Sequence, residues 1–251
     1  AALADPWEAS SVSVRINGLE TPHCLNDVLA ITQKRSDHGQ AVESVVLPKT
    51  ASTSQIHFVS TLLDQLSVDD DPMAPSNIEA LIEDADGMIN AHAIALASPR
   101  LESLIFGMGD FAAAQGIQTT VIGDQSGYEA DLWHYPRYRL IMAARAANIA
   151  AIDGPFAAFK DMDGLNRDCS VARLMGMNGK WAIHPGQAET IAEHFTPLQS
   201  QVDQARKQKK EFEEQKNNQQ QGQQGQQGQQ QQGQQGYSYN NQQMGYDYNQ
   251  Q

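Results

Sequence analysis

Glu83 and Asp110 are the carboxylates in this sequence whose spacing points most directly to chemistry. Each closes a short apolar run: Glu83 follows "NIEALI" and Asp110 follows "ESLIFGMG". Both runs read as strands. Side by side in a parallel sheet, their ends stand roughly 5 Å apart, near the interstrand spacing. Two carboxylates at that range repel unless a proton or a cation lies between them. Oxygen ligands at an open mouth suit a hard cation such as Mg²⁺, with water or substrate oxygens completing the octahedron. The competing reading is structural: Asp110 caps the next helix and Glu83 pairs with a nearby arginine. Spacing alone leaves both open. Gly107 and Gly109 keep side chains off the turn that carries Asp110, so that a ligand can approach the backbone.

Four more positions carry candidate chemistry. Arg15 sits between apolar neighbours in "VRIN". It is either the partner of a buried carboxylate or a planar clamp for a carboxylate or enolate oxygen. Lys49, in "LPKT", stands where a strand should end. There it could form a Schiff base with a keto substrate, or simply make an ion pair. His184 precedes Pro185 and a helix, a place where histidine more often fixes a turn than acts as a base. Asp153 opens the tight turn "DGP" and reads as structural or as support for the site. Lys180 stands at the start of its strand, so it is expected on the opposite face. No HExxH and no GxSxG occurs.

These residues need a scaffold that gathers strand ends. Short apolar runs cover 11–17, 43–49, 77–84, 102–110, 149–155 and 180–185. They are continuous rather than alternating, as in a parallel sheet covered on both faces. Helical patterns fall between them, over 23–35, 53–66, 88–97, the second half of 133–148, 163–175 and 187–195. Repeated βα units fit a doubly wound sheet or a (β/α)₈ barrel. Nearly every strand ends in a reactive residue: Arg15, Lys49, Glu83, Asp110, Asp153 and His184. A barrel brings all such ends to one mouth, whereas an open sheet gathers its site at a single switch point. No Gly-rich phosphate loop follows the first strand. The expected fold is therefore a TIM-type barrel in which six units are legible and the first two βα units are lacking.

Residues 1–197 hold this domain, 198–216 read as a polar helix or linker, and 217–251 are a Gln/Gly/Tyr-rich tail too poor in apolar residues to fold. The formal net charge is −13 over 251 residues, and no basic stripe exists to neutralise phosphates, which argues against nucleic acid. No apolar run approaches the roughly 20 residues of a membrane span. The two cysteines, Cys24 and Cys169, fit a reducing compartment and form no zinc pattern. The first residues, "AALADPWEAS", match neither a secretion signal nor an Arg-rich transit peptide. A cytoplasmic protein is expected, or one of the mitochondrial matrix if the source is eukaryotic.

Six segments, in order, resemble the HpcH/HpaI aldolase and citrate lyase β-subunit-like family: "VRINGLETP" (14–22), "VVLPKT" (45–50), "IEDADGMINAHAIA" (82–95), "FGMGDFAAAQG" (106–116), "AARAANIAAIDGP" (143–155) and "GKWAIHPGQ" (179–187). "GIQTT" and "DLWHYPRYR" are most similar to its malyl-CoA and β-methylmalyl-CoA lyase branch. The resemblance implies a TIM barrel, dependent on Mg²⁺ (or Mn²⁺), that makes or breaks a carbon–carbon bond in an acyl-CoA. Glu83 and Asp110 match the metal-binding carboxylates, and Arg15 matches the arginine that contacts substrate and enolate. Gly109 and Asp110 would line the substrate site, with Lys49, Asp153 and His184 around it. The implied partners are an acyl-CoA, a 2-keto acid such as glyoxylate or pyruvate, and further copies of the chain in a homotrimer or higher homo-oligomer.

The resemblance also implies two βα units ahead of "VRIN" and a C-terminal lid that gives an aspartate to a neighbouring subunit. No segment here matches either, and the Gln-rich stretch stands where the lid would be. Two other functions therefore stay beside the lyase: a thioesterase in which water attacks the malyl thioester, and a non-catalytic barrel acting as an interaction protein through its tail.

Overall fold

The structure is a computed structural model and describes residues 11–33, 42–66, 77–118, 131–212 and 216. The chain divides at Thr196–Pro197 into two units. In the second, residues 199–212 are helical; the Gln-rich tail lies outside the described residues.

The first unit alternates strands and helices: β1 (Ser13–Arg15), α1 (Cys24–Gln33), β2 (Ser44–Leu47), α2 (Thr53–Leu66), β3 (Asn77–Ile82), α3 (Ala85–Ala95), β4 (Leu101–Phe106), α4 (Met108–Ala114), α5 (His134–Ala147), β5 (Ala150–Asp153), α6 (Met162–Met175), β6 (Gly179–Lys180) and α7 (Pro185–Phe195). The strands form one curled parallel sheet in the order β1-β2-β3-β4-β5-β6. Among the described residues no strand is skipped and the winding never reverses, so they show no switch point of the kind an open doubly wound sheet uses.

The two sheet faces differ. Val45, Leu47, Ile78, Ala80, Ile82 and Phe106 point into the main core with the helices, whose Val28, Ile56, Leu63, Ala91, Ile94 and Leu140 pack on them. The alternate residues Val46, Leu81 and Ile105, with Ile152 and Trp181, form a separate small cluster on the other face. Among the described residues the helices thus cover one face, as on the outside of a barrel wall. This one-sided cover agrees with the barrel-type reading rather than with an open sheet wrapped on both faces. The runs look continuous because the second face is partly apolar too. Below that cluster the inner face turns polar. The Ser44 hydroxyl donates to Glu79 Oε1 at 2.7 Å, Ser103 donates to Glu79 Oε2 at 2.9 Å, and the Ser13 and Ser44 hydroxyls meet at 2.7 Å.

Several boundaries move for local reasons. β4 stops at Phe106, and Asp110 lies within the first turn of α4 rather than at a strand end. β3 stops at Ile82 because Asp84 becomes the N-cap of α3, accepting from Gly87 N–H at 2.6 Å. That cap starts α3 three residues before the apolar pattern does. β6 is only Gly179–Lys180, and His184 sits beyond it as the N-cap of α7. Lys180 pairs in register with Asp153, the last residue of β5. It therefore stands at the C-terminal edge and not on the opposite face.

Candidate active site

The C-terminal edge of the sheet carries the candidate residues because each strand there breaks into a turn. Glu83 follows β3 by one residue and is 5% exposed. Its Oε1 accepts the Lys49 N–H at 2.8 Å. The Asp110 carboxylate, itself exposed, lies within hydrogen-bonding reach of Glu83. Burial pushes the Glu83 carboxyl up; the Lys49 amide opposes this, Asp110 adds to it, and the Arg15 guanidinium pulls the other way. Glu83, Asp110 and Arg15 are thus brought together, although they come from three different βα units. Arg15 ends β1 and is exposed. It lines a cavity of about 400 Å³ with Ile16, Asn17, Glu20, Thr21 and Lys49.

The glycine turn over this pair is sterically required. A Cβ on Gly107 would stand 2.4 Å from Glu83 Cβ and 2.9 Å from Glu83 Oε2. Gly107 is also the N-cap residue of α4, with no side-chain cap bond. Asp110 is therefore not that cap.

The donor set fits a hard cation: two neighbouring carboxylates, one buried and one open to solvent. Among the described residues no group of three or more His, Cys, Asp or Glu side chains is arranged to hold a metal. The pair would supply two ligands, and substrate and water the rest.

The other candidates fall elsewhere. The Lys49 side chain is about half exposed and lies 3.8 Å from Glu20 Oε1. Such an exposed pair screens the ammonium rather than desolvating it, which is the wrong environment for a Schiff-base nucleophile. His184 Nδ1 accepts from Gly186 N–H at 3.1 Å, and the ring stacks on Phe159 at 4.9 Å. Both contacts fix the turn.

Asp153 is fully buried in a group of four charges. Arg137 grips it with two bonds of 3.0 and 2.9 Å, and Lys180 Nζ donates at 2.7 Å. Asp168 bridges both cations at 2.6 Å. Lys180 also donates to the Gly154 carbonyl at 2.6 Å. A Cβ on Gly154 would come within 2.4 Å of the Phe106 carbonyl and 3.1 Å of the Met108 side chain. The four charges thus hold the turn after β5 against the turn that leads to Asp110. The sequence reading missed Arg137 and Asp168. Their only sequence signal is an arginine and an aspartate on otherwise amphipathic helices, which any solvated face would show.

Comparison with known proteins fits this geometry. The HpcH/HpaI aldolase/citrate lyase family model matches residues 2–185. An L-malyl-CoA/beta-methylmalyl-CoA lyase of Cereibacter sphaeroides is 34% identical over 211 residues, covering 80% of this chain and 65% of that protein. A (3S)-malyl-CoA thioesterase of the same species is 32% identical over 195 residues, 78% of this chain. The citrate lyase beta subunit from M. tuberculosis, complexed with oxaloacetate and magnesium, superposes with a TM-score of 0.59 at 26% identity, over 74% of this chain and 73% of that one. The chain spans a little under two thirds of the length of the lyase it resembles. With the ordered motifs, the singly wound sheet and a family match over most of its length, the chain belongs to the HpcH/HpaI aldolase/citrate lyase family.

Proposed function

We propose that this chain carries the metal-and-substrate half of a Mg²⁺-dependent carbon–carbon lyase site. The substrate would be the CoA ester of a 2-hydroxy acid, such as malyl-CoA, methylmalyl-CoA or citramalyl-CoA. The products would be an acyl-CoA and glyoxylate or pyruvate. The six strands are read as six of the eight of a TIM-type barrel. One observation carries the proposal: Asp110, in the first turn of α4, lies within hydrogen-bonding reach of Glu83 at the end of β3, with Arg15 close enough to act on the same charge.

Each residue has a physical task. Glu83 and Asp110 hold the cation at the rim. When bound, Mg²⁺ supplies Lewis-acid polarisation of the oxygen that becomes the keto group. Arg15 presents a planar donor pair to anionic oxygen, which stabilises charge that develops as the carbon–carbon bond breaks. Gly107 and Gly109 keep the approach free of side chains.

The thioesterase reading is kept because a relative of nearly equal similarity is a (3S)-malyl-CoA thioesterase. Product analysis separates the two. Purified protein incubated with malyl-CoA and Mg²⁺ is expected to release glyoxylate and acetyl-CoA, and EDTA is expected to stop it. Release of free CoA thiol without glyoxylate supports the thioesterase. Formation of neither product, with Mg²⁺ present, contradicts the proposal.

A further inference from the structure

Lys49 has φ 50, one of two non-glycine residues with positive φ among those described. The other, Asn148, ends α5 in the ordinary left-handed cap of a helix. Lys49 ends no helix. An L-residue there crowds its Cβ against the following carbonyl, and the residues that tolerate this are Gly and, less often, Asn or Asp. A lysine held so is strained, and the surrounding structure has to enforce it.

The enforcing contacts lie on the turn after β2. Thr50 is fully buried; its N–H donates to the Leu81 carbonyl at 3.1 Å and its hydroxyl to the Leu47 carbonyl at 2.9 Å. Gln55 Oε1 accepts from the N–H groups of Ala51 at 2.7 Å and Ser52 at 3.0 Å, while its Nε2 donates to the Lys49 carbonyl at 3.3 Å. Asn90 Nδ2 donates to the Ala51 carbonyl at 2.9 Å. On the far side, a Cβ on Gly87 would come within 2.4 Å of the Thr50 carbonyl, so α3 is pressed against the turn. What these contacts achieve is a direction. The Lys49 N–H meets Glu83 Oε1 at 2.8 Å, while Oε2 is the oxygen nearest Gly107. The lysine side chain does none of this, since it points toward Glu20 at the surface.

We propose that Lys49 is a positioning residue acting through its backbone: the clamped left-handed turn aims its N–H at Glu83 and fixes which carboxylate oxygen faces the cation. The inference rests on the reading of Glu83 as a metal ligand, but its hydrogen bond can be measured without metal.

Two measurements test it. In amide NMR of the metal-free protein, the Lys49 N–H is expected well downfield, because a charge-assisted bond deshields the proton. It should move upfield in Glu83→Gln and stay in place in Arg15→Ala. In Mn²⁺ titrations, Lys49→Gly and Lys49→Asn should keep affinity within about threefold of the wild type, because both accept the left-handed backbone. Lys49→Val should lose about tenfold or more, because β-branching excludes that region. All three variants lose the same charge, so their order reports backbone geometry. An upfield Lys49 amide indifferent to Glu83→Gln overturns the proposal, and so do equal affinities for the Gly and Val variants. A downfield, Glu83-sensitive amide in a protein that binds no Mn²⁺ leaves the aimed bond standing and overturns the metal reading alone.

Discussion

Glu83 is nearly buried yet faces an exposed carboxylate, and Gly107 is what allows the two to meet. Gly107→Ala should displace Glu83, since the new Cβ would stand 2.4 Å from Glu83 Cβ. Overpacking of this kind costs about 1–3 kcal/mol, and misplacing a ligand by an ångström lowers turnover by about a hundredfold. A thermal melt beside a glyoxylate-release assay checks both; unchanged turnover would show that Glu83 is not needed at this position. Arg15, Glu83 and Asp110 stand out in the sequence because an ionisable side chain interrupts or ends an apolar run, and the proposed metal site rests on them. Lys49 was legible only as an amine. Its role as a bent backbone amide depends on φ, which no side-chain pattern encodes.

At the scale of elements, the buried Arg137, Asp153 and Lys180, with the partly buried Asp168, tie α5, β5, α6 and β6 together and brace the turn toward Asp110. Replacing Lys180 with Met should cost about 3 kcal/mol, as breaking a buried pair does, or about 6–12 °C in melting temperature for a domain of this size. The sign of the acid response also follows. Burial raises the Asp168 carboxyl, but Lys180 and Arg137 outweigh it and hold it below the ordinary aspartate value of 3.8. Its stabilisation is therefore present above about pH 4 and is lost as the pH falls through that range. Melting curves from neutral pH down should show this loss, and Asp168→Asn should give a lower neutral plateau with a shallower acid limb. Identical acid limbs would remove Asp168 from the account. The helix over 53–66 was read from sequence with the bounds it has in the structure, because its apolar period is unbroken. The strands were read too long. Apolar residues run past the last ladder bond, where Asp84 and His184 take up caps instead. The pairing among these charges stayed invisible because the partners lie 12 to 31 positions apart.

For the whole molecule, the sequential sheet and its single helical layer follow from repeated βα units, and that much was readable from periodicity. Which face the helices cover was not, because both faces are apolar near the middle of the strands. We propose, from its composition alone, that the Gln-rich segment 217–251 takes no part in the core. Its removal is expected to leave melting temperature and Mn²⁺ affinity unchanged, and a fall in either would assign it a structural task. The central claim is that Glu83 and Asp110 together hold one divalent cation, and calorimetric titration of Mn²⁺ into wild type, Glu83→Gln and Asp110→Asn tests it most directly. The account predicts one site per chain, displaced by Mg²⁺ and weakened about tenfold or more by either substitution, as expected when one of few charged oxygen ligands is lost. Equal binding by all three proteins, or none by the wild type, would contradict it.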